Sequence, residues 1–253
     1  MQSEKILELK ELHISFTQYT RGLQRRTIEN VCGLSFSTYA GEVTALVGAS
    51  GSGKSLLAHA VMGLLPYNAS MDGEIFYRGR LLTKEQIEQL RGSEILLVPQ
   101  GASYLDPLMK SGAQILKGSR DPQKKAKMKE IFQRYHLKED AAALYPFELS
   151  GGMSRRVLIA AATIEEPRLV IADEPTPGLE KKTAKMVMGH FRELAVETAD
   201  RILVMHEGRV AEEAFPADFQ AEETLRHPYT KALWRAMPSH WSVLDRGAND
   251  EER

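Results

Sequence analysis

The sequence predicts an α/β fold: a sheet-centred body with an antiparallel β region at its N-terminal side and an inserted helical section. Three observations carry this. A compact apolar run, Glu42–Val47, ends in a glycine-rich loop and passes into a helical stretch, Ser55–Leu65. A second apolar run, Leu169–Ala172, has the character of a buried strand and ends on the acidic pair Asp173-Glu174. Between them, the texture from Gly101 to Glu148 turns helical.

The elements follow in order. Leu7–Phe16 reads as a strand with imperfect alternation and Val31–Phe36 as another. Pro66 stops the first helix, and Glu74–Tyr77 and Ile95–Val98 are short strands. Asp121-Pro122 is a helix start, with Asp as N-cap and Pro at the first helical position. That helix puts Met128, Ile131, Phe132 and Tyr135 on one apolar face. Met153–Thr163 reads as helix, as does Lys181–Val196. Arg201–Met205 is a strand, then a turn at His206–Arg209 and a second strand, Val210–Ala214. Residues 1–100 and 165–226 thus form the α/β core, 101–164 the helical section and 227–253 a tail with a charged, frayed end.

Bulk properties narrow the class. With 33 basic and 34 acidic residues the net charge is −1, which argues against an electrostatic nucleic-acid binder. The single cysteine, Cys32, excludes a disulfide framework, a cysteine zinc site and an iron–sulfur cluster held by this chain alone. The most apolar stretch, Leu56–Leu65, is too short to span a membrane, and the N-terminus lacks a signal peptide's apolar core. The chain reads as soluble and cytoplasmic, with any membrane role coming through a partner.

The chemistry lies in phosphate-handling motifs. Gly48, Ala49, Ser50, Gly51, Ser52, Gly53, Lys54 and Ser55 spell GASGSGKS, a full match to G-x-x-x-x-G-K-[ST] between a strand and a helix. Backbone N–H groups from Gly51 to Ser55 form an anion nest there. Lys54 reaches the β- and γ-phosphates, and the Ser55 hydroxyl coordinates Mg²⁺. Asp173 would hold the same ion through water, and Glu174 would orient or deprotonate an attacking water. Gln100, directly after Ile95–Pro99, offers an amide oxygen near the metal and that water. Ser150, Gly151 and Gly152, within LSGGM, open a helix whose N-terminal N–H groups favour an anion. Alone, LSGGM would be only a serine-glycine turn capping a helix. Downstream of a phosphate loop it means more.

GASGSGKS, Gln100, LSGGM and LVIADEP, in this order, resemble the nucleotide-binding subunit of an ABC transporter: its Walker A loop, Q-loop, signature and Walker B strand. The resemblance covers nearly the whole chain. HPYTKAL (His227–Leu233), Met153 and LYPFELSGG from Leu144 are similar to the ATPases of dipeptide, oligopeptide and nickel importers. The peptide branch often carries a cysteine-rich tail; its absence here leans the resemblance toward the nickel type. The resemblance implies ATP and Mg²⁺ as cofactors, and a second ABC ATPase subunit packed head to tail, identical or different. Ser150–Gly152 would then reach a γ-phosphate held by that partner. It also implies two transmembrane permease subunits, met near Gln100 and Tyr104–Leu108, an extracytoplasmic substrate-binding protein, and a place on the cytoplasmic face of the membrane. An aromatic near the end of the first strand stacks on adenine in the family; Phe16 is the candidate here and Tyr19 the alternative.

Two departures stand out. The family's loop after Walker B ends in Leu-Asp, where this chain has Thr176–Glu180, TPGLE, with Glu180 in the Asp place. The longer side chain shifts the charge by about one C–C bond, enough to disturb a positioned contact. The family then has a strand ending in a switch histidine and a further helix. Here the helix from Lys181 runs directly into VETADRILVMHEGRV, so a core strand near 195–199 is expected to be missing. His206 is the available substitute, although a glycine turn follows it rather than a helix, and His190 falls within a helix. An artefact, a degraded gene product and a sheet rearranged around Arg201–Met205 are the three explanations.

Overall fold

Leu7, Leu9, Leu12 and Ile14 are buried along β1 (Lys5–Tyr19), which runs antiparallel to β2 (Arg25–Tyr39) on one side. On its other side lies β4 (Ala69–Tyr77), and β5 (Arg80–Leu81) completes a four-stranded antiparallel sheet ordered β2-β1-β4-β5. This is the antiparallel N-terminal region expected. Its strands outrun the sequence reading at both ends because regular pairing continues past the apolar run: Phe16, Thr17, Gln18 and Tyr19 still face Ile28, Thr27, Arg26 and Arg25.

The computed structural model describes residues 4–19, 24–99, 104–173 and 199–236. They fall into two compact units. The first comprises Met1–Leu57, Leu65–Leu82 and Ala195–Arg253; the second, Ala58–Leu64 and Thr83–Leu194. The expected helix Lys181–Val196 lies outside the described residues.

The first unit also holds a three-stranded sheet. In it β8 (Arg201–His206) lies between β3 (Thr44–Val47), its parallel partner, and β9 (Arg209–Ala214), its antiparallel one. Ile202, Leu203, Val204 and Met205 are fully buried, as a central apolar strand requires. Glu207 and Gly208, both with positive φ, form the two-residue turn into β9. A Cβ on Gly208 would lie 2.4 Å from the Asn30 carbonyl oxygen, so only glycine fits. Over this sheet, Phe219, Leu225, Tyr229, Leu233 and Trp234 share a core with Ala45, Ile202 and Val204. Three of these come from the C-terminal helix Pro228–Arg235, which the sequence reading left as part of a tail. Buried Arg201 anchors the rim, donating to Glu42 at 2.6 Å, to Glu213 at 2.9 Å and to the Ser37 carbonyl.

In the second unit, β6 (Ile95–Val98) pairs in parallel with β7 (Leu169–Ala172), both with the predicted bounds. The helix Pro122–Arg134 starts as predicted, with the Asp121 carboxylate accepting from Gln123 N at 2.9 Å. Its apolar face meets the helix Gly151–Thr163 in a core containing Ile131, Phe132, Tyr135, Val157 and Ile159. A helix over Lys84–Leu90 was not anticipated, although Thr83 and Gln86 spell its capping box.

One expectation is corrected. Leu169–Ala172 forms the predicted strand but not a buried one: Leu169, Val170 and Ile171 are half-buried and Ala172 is exposed. Among the described residues β7 pairs with β6 alone, and β3, also largely half-buried, pairs with β8 alone. Both apolar strands thus pair on one side only there. No helix among the described residues is long and apolar enough to cross a membrane.

Candidate functional site

The phosphate-loop residues leave β3 at Val47 and enter α1 (Lys54–Val61). The loop grazes the end of β8: a Cβ on Gly48 would sit 2.3 Å from the Met205 carbonyl oxygen, which no side chain tolerates. Ser52 is buried at 6% exposure. Lys54 curls back over the loop, its ammonium donating to the carbonyls of Gly48 at 2.8 Å and Ala49 at 2.9 Å, and to Ser52 Oγ at 3.2 Å. The backbone is therefore wrapped around a cation at the head of a helix, where N–H groups and dipole both favour an anion. The Ala49 N–H donates to the Tyr229 hydroxyl at 2.8 Å.

The second unit carries the other motifs. Ser150 is the N-cap of the helix Gly151–Thr163, its hydroxyl accepting from Met153 N at 3.3 Å. Gly151 is exposed, and a Cβ added to Gly151 or Gly152 would meet nothing within 4 Å among the described residues. Buried Arg155 donates to the Pro99 carbonyl at 2.8 Å, holding the chain just before Gln100. Arg156 donates to the carbonyls of Tyr135 and His136, both at 3.2 Å. Asp173 follows β7, its N–H bonded to Val98 O at 2.9 Å. Gln100, Glu174, Glu180 and His190 lie outside the described residues.

Phe16 is half-buried within β1, three residues before the strand ends, paired with Ile28 on one side and Ala69 on the other. Tyr19, at the strand's end, is 63% exposed, with the Arg25 guanidinium 5.4 Å from its ring centroid. His206 closes β8 and leads into the hairpin, so no helix follows it. Its ring stacks on Tyr229, centroids 3.8 Å apart.

Comparison with known proteins places the chain. Residues 31–177 match the model of the ABC transporter family. The chain is 34% identical to the dipeptide transport ATP-binding protein DppD of Bacillus subtilis, over 93% of this chain and 77% of that protein. It is 32% identical to the oligopeptide transport ATP-binding protein OppD of Lactococcus lactis, over 97% and 79%. Among solved structures, the ATP-binding cassette MJ0796, a dimer in a post-hydrolysis state bound to ADP and Pi, aligns with a TM-score of 0.68 at 25% identity, covering 83% of this chain and 99% of that one. The chain belongs to the ABC transporter family, whose ATPases couple ATP hydrolysis to transport.

The alignments also disclose a shortfall. The DppD match runs over 266 positions, yet 93% of 253 residues is about 235, so about 31 aligned positions face no residue of this chain. Two structurally placed residues escaped the sequence reading of the site: Tyr229, noted only as a family word, and Arg155. The arginine pair Arg155-Arg156 beside the signature and a His-Pro helix start at 227–228 were the available signals.

Proposed function

We propose that the chain is the ATP-binding, energy-coupling subunit of an importer of short peptides. The observation that carries this is the phosphate loop itself, curled so tightly between β3 and α1 that Lys54 spans its carbonyls. That geometry fits a nucleotide triphosphate: amide N–H groups at a helix start, and a lysine able to exchange loop oxygens for phosphate oxygens. Gly48–Ser55 cradle the phosphates, with Phe16 or the more exposed Tyr19 against adenine. Ser55, Asp173 and Gln100 are the candidate Mg²⁺ ligands, and Glu174 is the candidate for activating water. When bound, the ion would supply charge neutralisation on the phosphates.

In a head-to-tail dimer Ser150, Gly151 and Gly152 would complete the partner's site, as their open surroundings support. Two permease subunits and an extracytoplasmic binding protein would complete the importer, with this subunit at the cytoplasmic face of the membrane. The functional division follows: residues 1–100 and 165–226 bind nucleotide, 101–164 present the signature, and 227–253 form the C-terminal segment, whose helix Pro228–Arg235 packs on the core of the first unit. The relatives' names favour peptide cargo over the nickel toward which the sequence leans. Reconstitution with its permease should give ATP-dependent uptake of a labelled dipeptide; uptake of Ni²⁺ alone would overturn the cargo assignment.

A second reading has its own support: a subunit that binds nucleotide but hydrolyses it poorly. The shortfall of about 31 positions matches in length a strand, a turn and a short helix, such as the resemblance finds missing before Ala199. Brisk turnover by a dimer of this chain alone would refute it.

A further inference from the structure

We propose that Tyr229 is a positioning residue for the phosphate loop, bracing it from the C-terminal helix and thereby setting nucleotide affinity. The inference rests on the reading of Gly48–Ser55 as a nucleotide site. Three contacts within one unit carry it. The Tyr229 hydroxyl accepts from Ala49 N at 2.8 Å, across 180 residues of sequence. Its ring stacks on His206, at the end of the strand whose Met205 carbonyl confines Gly48. Its own N–H donates to His227 Nδ1 at 3.1 Å, which caps the helix start.

The brace is itself held. The Glu212 carboxylate accepts from the N–H groups of Arg226 at 2.8 Å and His227 at 3.0 Å, tying β9 to the helix entrance. Trp234 Nε1 donates to Phe219 O at 2.8 Å, and Tyr229, Leu233 and Trp234 pack into one core. Tyr229 therefore sits on a fixed base. Its reach ends on Ala49, whose carbonyl is one of the two that Lys54 contacts. Freed from Tyr229, the peptide unit joining Gly48 and Ala49 could rotate, and the loop would spend part of its time in a conformation unable to bind. Apparent affinity falls by that fraction.

The test is nucleotide affinity by calorimetry for the intact chain and for Tyr229→Phe, His206→Ala, His206→Phe and Lys54→Ala, alongside amide exchange at Ala49 and melting temperature without nucleotide. Tyr229→Phe keeps the ring and removes the hydroxyl. We expect about five-fold weaker MgATP binding, the equivalent of one hydrogen bond, with faster Ala49 exchange and a nearly unchanged melting temperature. His206→Ala should weaken binding comparably, and His206→Phe, which restores a stacked ring, should recover it. A helix that merely packs would change the melting temperature without singling out Ala49. Native-like affinity in Tyr229→Phe, while Lys54→Ala loses binding, overturns the brace and leaves the site intact. Equal binding by Lys54→Ala and the native chain would instead overturn the site reading, and Ala49 exchange would still report on the contact.

Discussion

The phosphate loop and the signature turn both spend glycines next to a helix start, yet for opposite reasons. Gly48 is glycine because the chain's own backbone is in the way: a Cβ would lie 2.3 Å from the Met205 carbonyl oxygen. Around Gly151 and Gly152 nothing among the described residues comes within 4 Å of an added Cβ. The first site is closed by β8, Lys54 and Tyr229 from within its own unit. Among the described residues the second is open, which fits an approach from outside the chain. Internal constraint and external approach are distinguishable physical causes, so they make separable predictions.

The largest effect falls on the closed site. Lys54→Ala removes the one side chain that spans the loop, together with its charge-assisted contacts. Hydrogen bonds to a charged group are each worth about 1.5–3 kcal/mol, so MgATP affinity should fall roughly 10- to 100-fold. ATP-dependent dimerisation, read by light scattering, should vanish. Unchanged affinity in calorimetry would remove the distinction between the two regions.

The glycines test the comparison directly. Gly48→Ala should destabilise the unliganded protein by about 1–3 kcal/mol through overpacking against Met205, seen as a lower urea midpoint. Gly151→Ala and Gly152→Ala should leave that midpoint unchanged or raise it, by up to about 1 kcal/mol, because alanine favours a helix. The same two changes should impair ATP-dependent dimerisation. Loss of stability in all three variants would mean that the signature is internally constrained as well.

Sequence legibility divides along the same line. The loop, the signature cap and the bounds of β6 and β7 were readable because each is a local word: a glycine spacing, a Ser N-cap, an apolar run between breakers. Asp121-Pro122 gave its helix start for the same reason. The contact of Ala49 with Tyr229 was not readable, since residues 180 positions apart meet only through the packing of the C-terminal helix on β8. Nor was the half-burial of β7, because apolar composition reports what a strand is suited to, while its tertiary surroundings decide what covers it: β6, with the same single pairing, is largely buried. The turn at Glu207-Gly208 was legible, and it made a switch role for His206 harder to sustain. The Lys84–Leu90 helix was missed although Thr83 and Gln86 carried its signal.

Ser150 has two roles that can be separated. As N-cap it accepts from Met153 N, so Ser150→Ala should cost about 1 kcal/mol in chemical denaturation. Ser150→Asp keeps a capping oxygen but adds a negative charge. It should restore stability while opposing an approaching phosphate, and so lower dimerisation with ATP. Recovery of both properties in Ser150→Asp would reduce the residue to a cap.

The smallest expected effect concerns acid and the C-terminal brace. Burial pushes the Glu212 carboxyl up, but the Thr230 hydroxyl, the N–H groups of His227 and Arg226 and the charge of Arg226 together outweigh it, holding the group below its usual value of 4.5. A carboxyl depressed in the folded state contributes stability above its unfolded value and loses it as pH falls through the folded one. Below about pH 4.5, then, the link between β9 and the helix entrance should weaken, by no more than about 1 kcal/mol. Glu212→Gln fixes the group in a neutral form. It should be slightly less stable than the native chain at pH 7, and the difference should shrink as the pH is lowered from 5 to 3. Protection of the Ala49 amide, corrected for the intrinsic pH dependence of exchange, should fall over the same interval in the native chain and stay level in Glu212→Gln if it depends on Tyr229, whereas protection in the Gly151–Thr163 helix should not follow Glu212 at all. A parallel response in that helix would show that the two regions share one acid-labile core, and the contrast between the closed and the open site would then be one of glycine geometry alone.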